Sequence, residues 1–337
     1  MTETGKRNTI ILGCLLALYV ITALILHNVD RSLSAGRRAN IDIGPLCGSP
    51  IREGFVFAAT GNGGHDLYWF DIPSLSVARL TNTLGDESSP GISPDGRNVV
   101  YSYTIPEYHA TMQCYDFRTK AISTLLTDSS ADILDPVYSR DGKSIIFSKR
   151  IFPTKWGISV GPDHHYELFQ LDLSSKVERQ LTNRSYFYAG LPVVSADGKY
   201  ISFIGRDPAE DSDGEVYQVD LAGSSVVRKA VGLKHVYATP VLSNDGLLMV
   251  YAGPCDNGNK SGLFVSPAAR HDPKLIKVAR EGETPLSPTF IEAHKVVYLS
   301  SVDYNYSVYE VNANGTGSRR LAGMDLFDDP LKWRPGK

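Results

Sequence analysis

The chain has 337 residues, 42% of them apolar and 21% charged, with a formal net charge of -3. That length suffices for one large all-β domain or two medium ones. Charges of both signs are interspersed, so no basic face stands out to hold a phosphate backbone, and nucleic acid is not an expected partner.

Residues 1–8 read as a short tail. From Thr9 to Leu26 the sequence carries neither a charge nor a proline. At about 1.5 Å per residue this run just reaches across a hydrocarbon core of about 30 Å. A transmembrane signal-anchor helix is therefore expected over 9–27. A cleaved signal peptide is the competing reading, but the run is long for one and no small-x-small pair follows it. Ile11-Leu12-Gly13-Cys14 has the form of a lipobox, yet few apolar residues precede Cys14. Lys6 and Arg7 flank one side, and Arg31, Arg37 and Arg38 the other, so the positive-inside count leaves the orientation open. Residues 28–53 read as a stalk. Of the four cysteines, Cys14 falls in the span and Cys114 in a predicted strand. Cys47 and Cys255 are free either to bridge stalk and domain or to remain thiols.

Beyond the stalk the sequence repeats itself. SPGISPDGR from Ser89, DPVYSRDGK from Asp135, LPVVSADGK from Leu191 and TPVLSNDG from Thr239 share a proline, a small apolar stretch, a serine and an Asp-Gly turn. SPTFIEAHK from Ser287 and DPLKWRPGK from Asp329 are looser copies. The prolines at 90, 136, 192, 240, 288 and 330 are spaced as four-stranded propeller blades are. The predicted fold over 54–337 is thus all-β, a six-bladed β-propeller. Each Asp-Gly reversal leads into an apolar strand such as Asn98–Tyr101, Ser144–Phe147 or Tyr200–Phe203. A third strand ends on an aspartate, as in Glu167–Asp172, and an Arg-Leu-Thr element marks the fourth. Gly54–Ala59 is a second-type strand with no first-type strand before it, while the chain ends on a first-type copy. Pairing Asp329–Pro335 with the strand at Phe55 is expected to close the ring, burying Trp333 in the first blade.

This order of proline strand, Ser-x-Asp-Gly turn, apolar strand, Tyr-x-x-Asp strand and Arg-Leu-Thr resembles the propeller repeat of the TolB family, a WD-like repeat. The resemblance covers Phe55 to Lys337. It implies an extracytoplasmic propeller, periplasmic in a bacterium, that docks partners on one face and along its channel; with the anchor expected over 9–27, this orients the chain as a single-pass membrane protein with a cytoplasmic N-terminus. The TolB protein itself carries an α/β domain before its propeller, where this chain has only the stalk.

Loops between second and third strands, and those between blades, emerge on one face. Asp86, Glu87, Asp132, Tyr186, Phe187, Tyr188, His235, Tyr237, Glu283, Asp325, Phe327 and Asp328 fall in the inter-blade loops. Trp156 lies in the long insertion Arg150–Tyr166. A rim of aromatics and acids suits a protein or glycan partner, since aromatic faces stack and carboxylates accept hydrogen bonds. No cofactor is expected on this reading. The alternative is a metal held by His65, His109, His164, His165 and His235, supporting metal-dependent lyase-like chemistry on carbohydrate. The oligogalacturonate lyases, whose repeats are similar, use such a metal. No H-x-x-x-H pair supports it here, and no G-x-S-x-G elbow supports a serine hydrolase. The sequons at Asn183, Asn259, Asn305 and Asn314 matter only in a eukaryotic lumenal setting.

Overall fold

The computed structural model describes residues 46–60, 64–105, 108–152, 154–155, 158–159, 165–195, 197–206, 215–221, 228–229, 240–243, 245–255, 260–267, 274–278, 283–292, 294–302, 305–328 and 330–335. The predicted anchor over 9–27 lies outside them, and no helix among the described residues is long and apolar enough to cross a membrane. The compact unit runs Ile43–Lys337.

Six antiparallel four-stranded sheets follow one another as blades. The first holds β1 (Cys47–Gly48), β2 (Gly54–Thr60), β3 (His65–Asp71) and β4 (Ser76–Arg79). The second holds β5 (Asp86–Ile92), β6 (Asn98–Thr104), β7 (Thr111–Asp116) and β8 (Ile122–Leu126). In the third, β9 (Ala131–Tyr138) and β10 (Ser144–Ile151) precede a small hairpin of β11 (Thr154–Lys155) and β12 (Ile158–Ser159), then β13 (His165–Asp172) and β14 (Glu178–Gln180). The fourth holds β15 (Tyr188–Val194), β16 (Tyr200–Arg206), β17 (Glu215–Asp220) and β18 (Arg228–Lys229). The fifth holds β19 (Val241–Leu242), β20 (Leu248–Cys255), β21 (Lys260–Pro267) and β22 (Lys274–Val278). The sixth holds β23 (Glu283–Glu292), β24 (Lys295–Val302), β25 (Asn305–Asn312) and β26 (Arg319–Ala322), and a one-turn helix α1 (Asp325–Asp328) follows.

Second strands carry short apolar runs, such as Val99-Val100-Tyr101 and Ile145-Ile146-Phe147, because both their faces are covered there. Val99 of β6 packs with Val56, Leu67 and Trp69 of the first blade, while its neighbour Val100 packs with Ile133 and Phe147 of the third. Ile145 and Ile146 of β10 divide in the same way between the second and fourth blades. Successive side chains of a strand point to opposite faces, so a continuous apolar run serves two interfaces.

The Ser-x-Asp-Gly turns are structural. Ser93 Oγ donates to Asp95 Oδ1 at 2.6 Å, and the Asn98 N–H donates back to Ser93 Oγ at 2.9 Å. The unit recurs at Ser139, Ser195 and Ser243, each with its aspartate. Gly96, Gly142, Gly198 and Gly246 take φ of 66° to 70°, which side chains with a Cβ resist. The serine hydroxyls hold Asp95, Asp141, Asp197 and Asp245 below the usual carboxylate range. The Arg-Leu-Thr element has a comparable role, in which Thr81 Oγ1 and Thr182 Oγ1 accept the N–H of Leu67 and Leu168 and tie fourth strand to third.

Closure of the first blade departs from the expectation. Its inner strand comes from the residues expected in the stalk: Cys47 pairs with Val56 and Gly48 with Phe55. The Ser49 N–H bonds Gly54 O as the Ser93 N–H bonds Asn98 O, so Ser49-Pro50 is a degenerate copy of Ser93-Pro94. The Gly48 N–H also reaches Thr289 Oγ1 of the sixth blade at 3.3 Å. Residues 330–332 form turns rather than a strand on β2. The physical reason is local: β1 joins β2 through a short turn with little closure entropy, and Pro330 and Pro335 lack backbone donors. The C-terminal segment packs by side chains instead. Phe327 meets Phe57 edge-on at 5.4 Å, and Trp333, buried in the first blade as expected, lies 5.4 Å from Phe70.

Candidate functional site

The inner strands surround a cavity of about 490 Å³, a size typical of ligand pockets. Pro90, Pro136, Pro192 and Pro288 reach it from four blades, with Leu46 and Cys47 of the N-terminal segment between. In each of those four blades the residue before the proline adopts a left-handed backbone: Ser89, Asp135 and Leu191 at φ 51° and Ser287 at 45°. The register of the inner strand shifts at each of these places. Proline cannot donate to a ladder, and a bulge is where a sheet tolerates it. In these four blades the repeat proline therefore goes with a bulge that brings the preceding residue into the cavity lining. Gly91 is required by the same crowding, since a Cβ there would stand 2.6 Å from Pro136 O.

Among the described residues, Asp135 and Arg140 are the charged ones lining this space. Ser89 Oγ donates to Asp135 Oδ1 at 2.6 Å, and the Leu191 N–H donates to Oδ2 at 3.1 Å, so the carboxylate spans from the second blade to the fourth. Burial raises its pKa. Arg140 Nε donates to Ser195 O at 3.4 Å, and burial lowers its pKa. Cys47 is a free thiol whose Sγ accepts the Ile92 N–H at 3.3 Å, and burial pushes it up to about 11. It is a poor nucleophile in that state.

The upper loops carry a second set of groups. His65 Nδ1 lies 2.9 Å from Asp86 Oδ1, which also accepts the His65 N–H. His109 Nδ1 lies 3.1 Å from Asp132 Oδ1, and Arg150 Nε donates to Asp132 Oδ2 at 2.8 Å. Each pair joins the third-strand end of one blade to the first strand of the next. Leu84, Ile105, Tyr108 and Phe187 stand exposed on these loops, Tyr108 by 74%. Arg206 lies over the Phe187 ring at 5.8 Å. Ile51, Val177, Tyr200 and Leu247 are exposed beside the turns of the opposite face.

Several expected rim residues lie elsewhere. Asp86 is exposed, but Glu87, Tyr186 and Phe327 are buried, and Asp132 is buried in its clasp. Glu87 accepts from Thr83 Oγ1 at 2.6 Å and Thr81 Oγ1 at 3.2 Å. Burial pushes it up to about 7, and the nearby charges of Asp66 and Asp86 act the same way against those hydroxyls. Tyr186 packs edge-on against Phe203 and Tyr217. Tyr188 is half-buried, and burial followed by the Asp135 charge raises its pKa. Trp156, His164, His235 and Tyr237 lie outside the described residues, as does the Glu283 side chain. Of the expected metal ligands, His65 and His109 are in separate clasps, and His165 sits in β13 opposite Ile151. No three His, Cys, Asp or Glu side chains converge for a metal among the described residues. Asp135 was legible as the one acid placed directly before a repeat proline within the blades. Leu84 and Tyr108 carried no signal beyond lying in loops.

The architecture is a TolB-like six-bladed propeller. The TolB of Acinetobacter baumannii superposes with a TM-score of 0.60 at 19% identity, over 83% of this chain and 63% of that one. A TolB structure from Agrobacterium tumefaciens gives 0.59 at 16%, over 75% and 88%. An oligogalacturonate lyase of Vibrio parahaemolyticus gives 0.55 at 15%, over 84% and 79%. No protein-family model matches the sequence, and no curated protein does. These likenesses define the fold, and a propeller fold hosts many functions.

Proposed function

We propose that this chain is a binding scaffold, held at a membrane by residues 9–27 with its propeller extracytoplasmic, which docks a protein or glycan partner on its upper loops. The observation that carries this reading is the exposure of Leu84, Ile105, Tyr108 and Phe187 on upper loops of the first four blades. The loops of Leu84, Ile105 and Tyr108 are tied to the ring by the His65–Asp86 and His109–Asp132 clasps, and that of Phe187 by the Arg184 and Ser185 N–H groups on Glu167. Aromatic anchors on a preorganised surface lose little entropy on binding. The likeness to TolB propellers supports the same reading.

The test is photo-crosslinking of the full chain, in its native membrane, from a reactive residue at position 108 or 187. A discrete adduct, lost when the other aromatic is changed to alanine, is expected. Absence of any adduct from both positions argues against docking on this face. Near-stoichiometric transition metal in the purified protein, with carbohydrate-cleaving activity abolished by His109→Ala, would replace the reading with a metal-dependent lyase.

A further inference from the structure

We propose that the central cavity receives an organic cation, an alkylammonium or alkylguanidinium on an apolar stem, against the carboxylate of Asp135. This rests on the docking reading above and names the chemical group that the channel takes.

The repeat provides an internal control. The left-handed position before the proline holds Ser89 in the second blade, Leu191 in the fourth and Ser287 in the sixth, all with closely similar φ. The bulge therefore needs no acid, and a serine or even a leucine builds it. The third blade nevertheless places a carboxylate there, facing the cavity. A carboxylate has about four acceptor sites, and Ser89 and Leu191 supply one donor to each oxygen. Among the described residues no Lys, Arg or His forms an ion pair with Asp135, and Arg140 is directed to the Ser195 carbonyl. A carboxylate in such a place without a cationic partner is costly, and an arriving cation offsets that cost. The raised pKa of Asp135 agrees.

The surroundings select the kind of cation. Hard metal ions such as calcium take six to eight oxygen ligands, whereas Asp135 is the one acid of the described lining. Proline rings with Val137, Val193 and Val241 form walls suited to a methylene stem. The group can come from a lysine or arginine side chain of a docked partner or from a free amine.

Calorimetric titration of the full chain with n-butylammonium chloride, and with an acetylated pentapeptide carrying a single lysine, tests this. Saturable binding of either probe is expected, with n-butanol and the norleucine peptide silent. Asp135→Asn should weaken it at least tenfold. Asp135→Ser, which copies the second blade but forgoes the bonds from Ser89 Oγ and the Leu191 N–H, should also lose binding, and a cooperative melt of either variant separates lost charge from misfolding. Tighter binding of the peptide assigns the cation to a partner's side chain, and tighter binding of the free amine to a small molecule. Equal binding by the Asp135 variants, or no binding of either probe, overturns the proposal. So does binding of calcium alone in an Asp135-dependent way. Persistence of upper-loop crosslinks in such a case would leave the docking reading standing.

Discussion

His109 Nδ1 of the second blade lies 3.1 Å from Asp132 Oδ1 of the third, and that carboxylate also accepts the Ala110 N–H and the Arg150 guanidinium. Asp132 is buried, whereas His109 is 37% exposed, so the two ends of the pair are unequal. Asp132→Ala strands a guanidinium and a buried N–H, and a loss of about 2–3 kcal/mol is expected in urea unfolding. His109→Ala removes a partly exposed partner and should cost about 1 kcal/mol or less. Equal losses would contradict this division of roles.

At the seam with the first blade, Trp333 of the C-terminal segment is buried against Phe70. Trp333→Ala should cost about 3–5 kcal/mol, the usual effect of emptying a buried aromatic site. Deleting residues 326–337 also removes buried Leu326 and Phe327 and should abolish cooperative thermal unfolding. A truncated chain that melts like the full one would show that the seam closes without this segment.

Glu87 should make stability fall as pH rises. Its folded pKa, about 7, stands above the ordinary 4.5 because of burial, so the folded state holds the proton more tightly than the unfolded chain does. The resulting stabilisation is complete below about 4.5 and is lost as pH rises through 7. Glu87→Gln should therefore melt higher than the parent at pH 8 and close to it at pH 4. Thermal midpoints across that range decide it, and a parent that gains on Glu87→Gln with rising pH would reverse the sign.

Gly142 turns the third blade's hairpin at φ 69°, and a Cβ there would make only an ordinary contact, 3.7 Å to Pro94 Cδ. Gly142→Ala should thus cost about 1 kcal/mol through backbone strain alone, since no clash is added. Gly91→Ala, with a normal φ but only 2.6 Å to Pro136 O, should cost more and should disturb the cavity wall. Equilibrium denaturation of both variants checks the order.

Blade number, the order of strands and the structural nature of the Asp-Gly turns were legible because each repeat carries its own local instructions. Sequence and structure part at the ends of the ring. Ser49-Pro50 repeats Ser93-Pro94 but lacks the Asp-Gly that would mark it, so the repeat pattern points to the C-terminal copy for the first blade's inner strand, where the structure uses β1. In the upper loops, polar and aromatic residues of similar appearance have different fates. Asp86 faces water while the adjacent Glu87 is buried, and Phe187 is exposed while the adjacent Tyr186 is buried.

The sequence by itself determined a six-bladed propeller, through prolines at blade spacing, turn residues that set the backbone, and apolar strands that need covering on both faces. Only the tertiary structure decided which end supplies the first blade's inner strand, which loop residues meet water, and that Asp135 faces the cavity. Turn chemistry acts between neighbours in the chain and is written there. Burial and pairing depend on the adjacent blade, whose contacts, such as Ser89 Oγ with Asp135, join residues far apart in sequence.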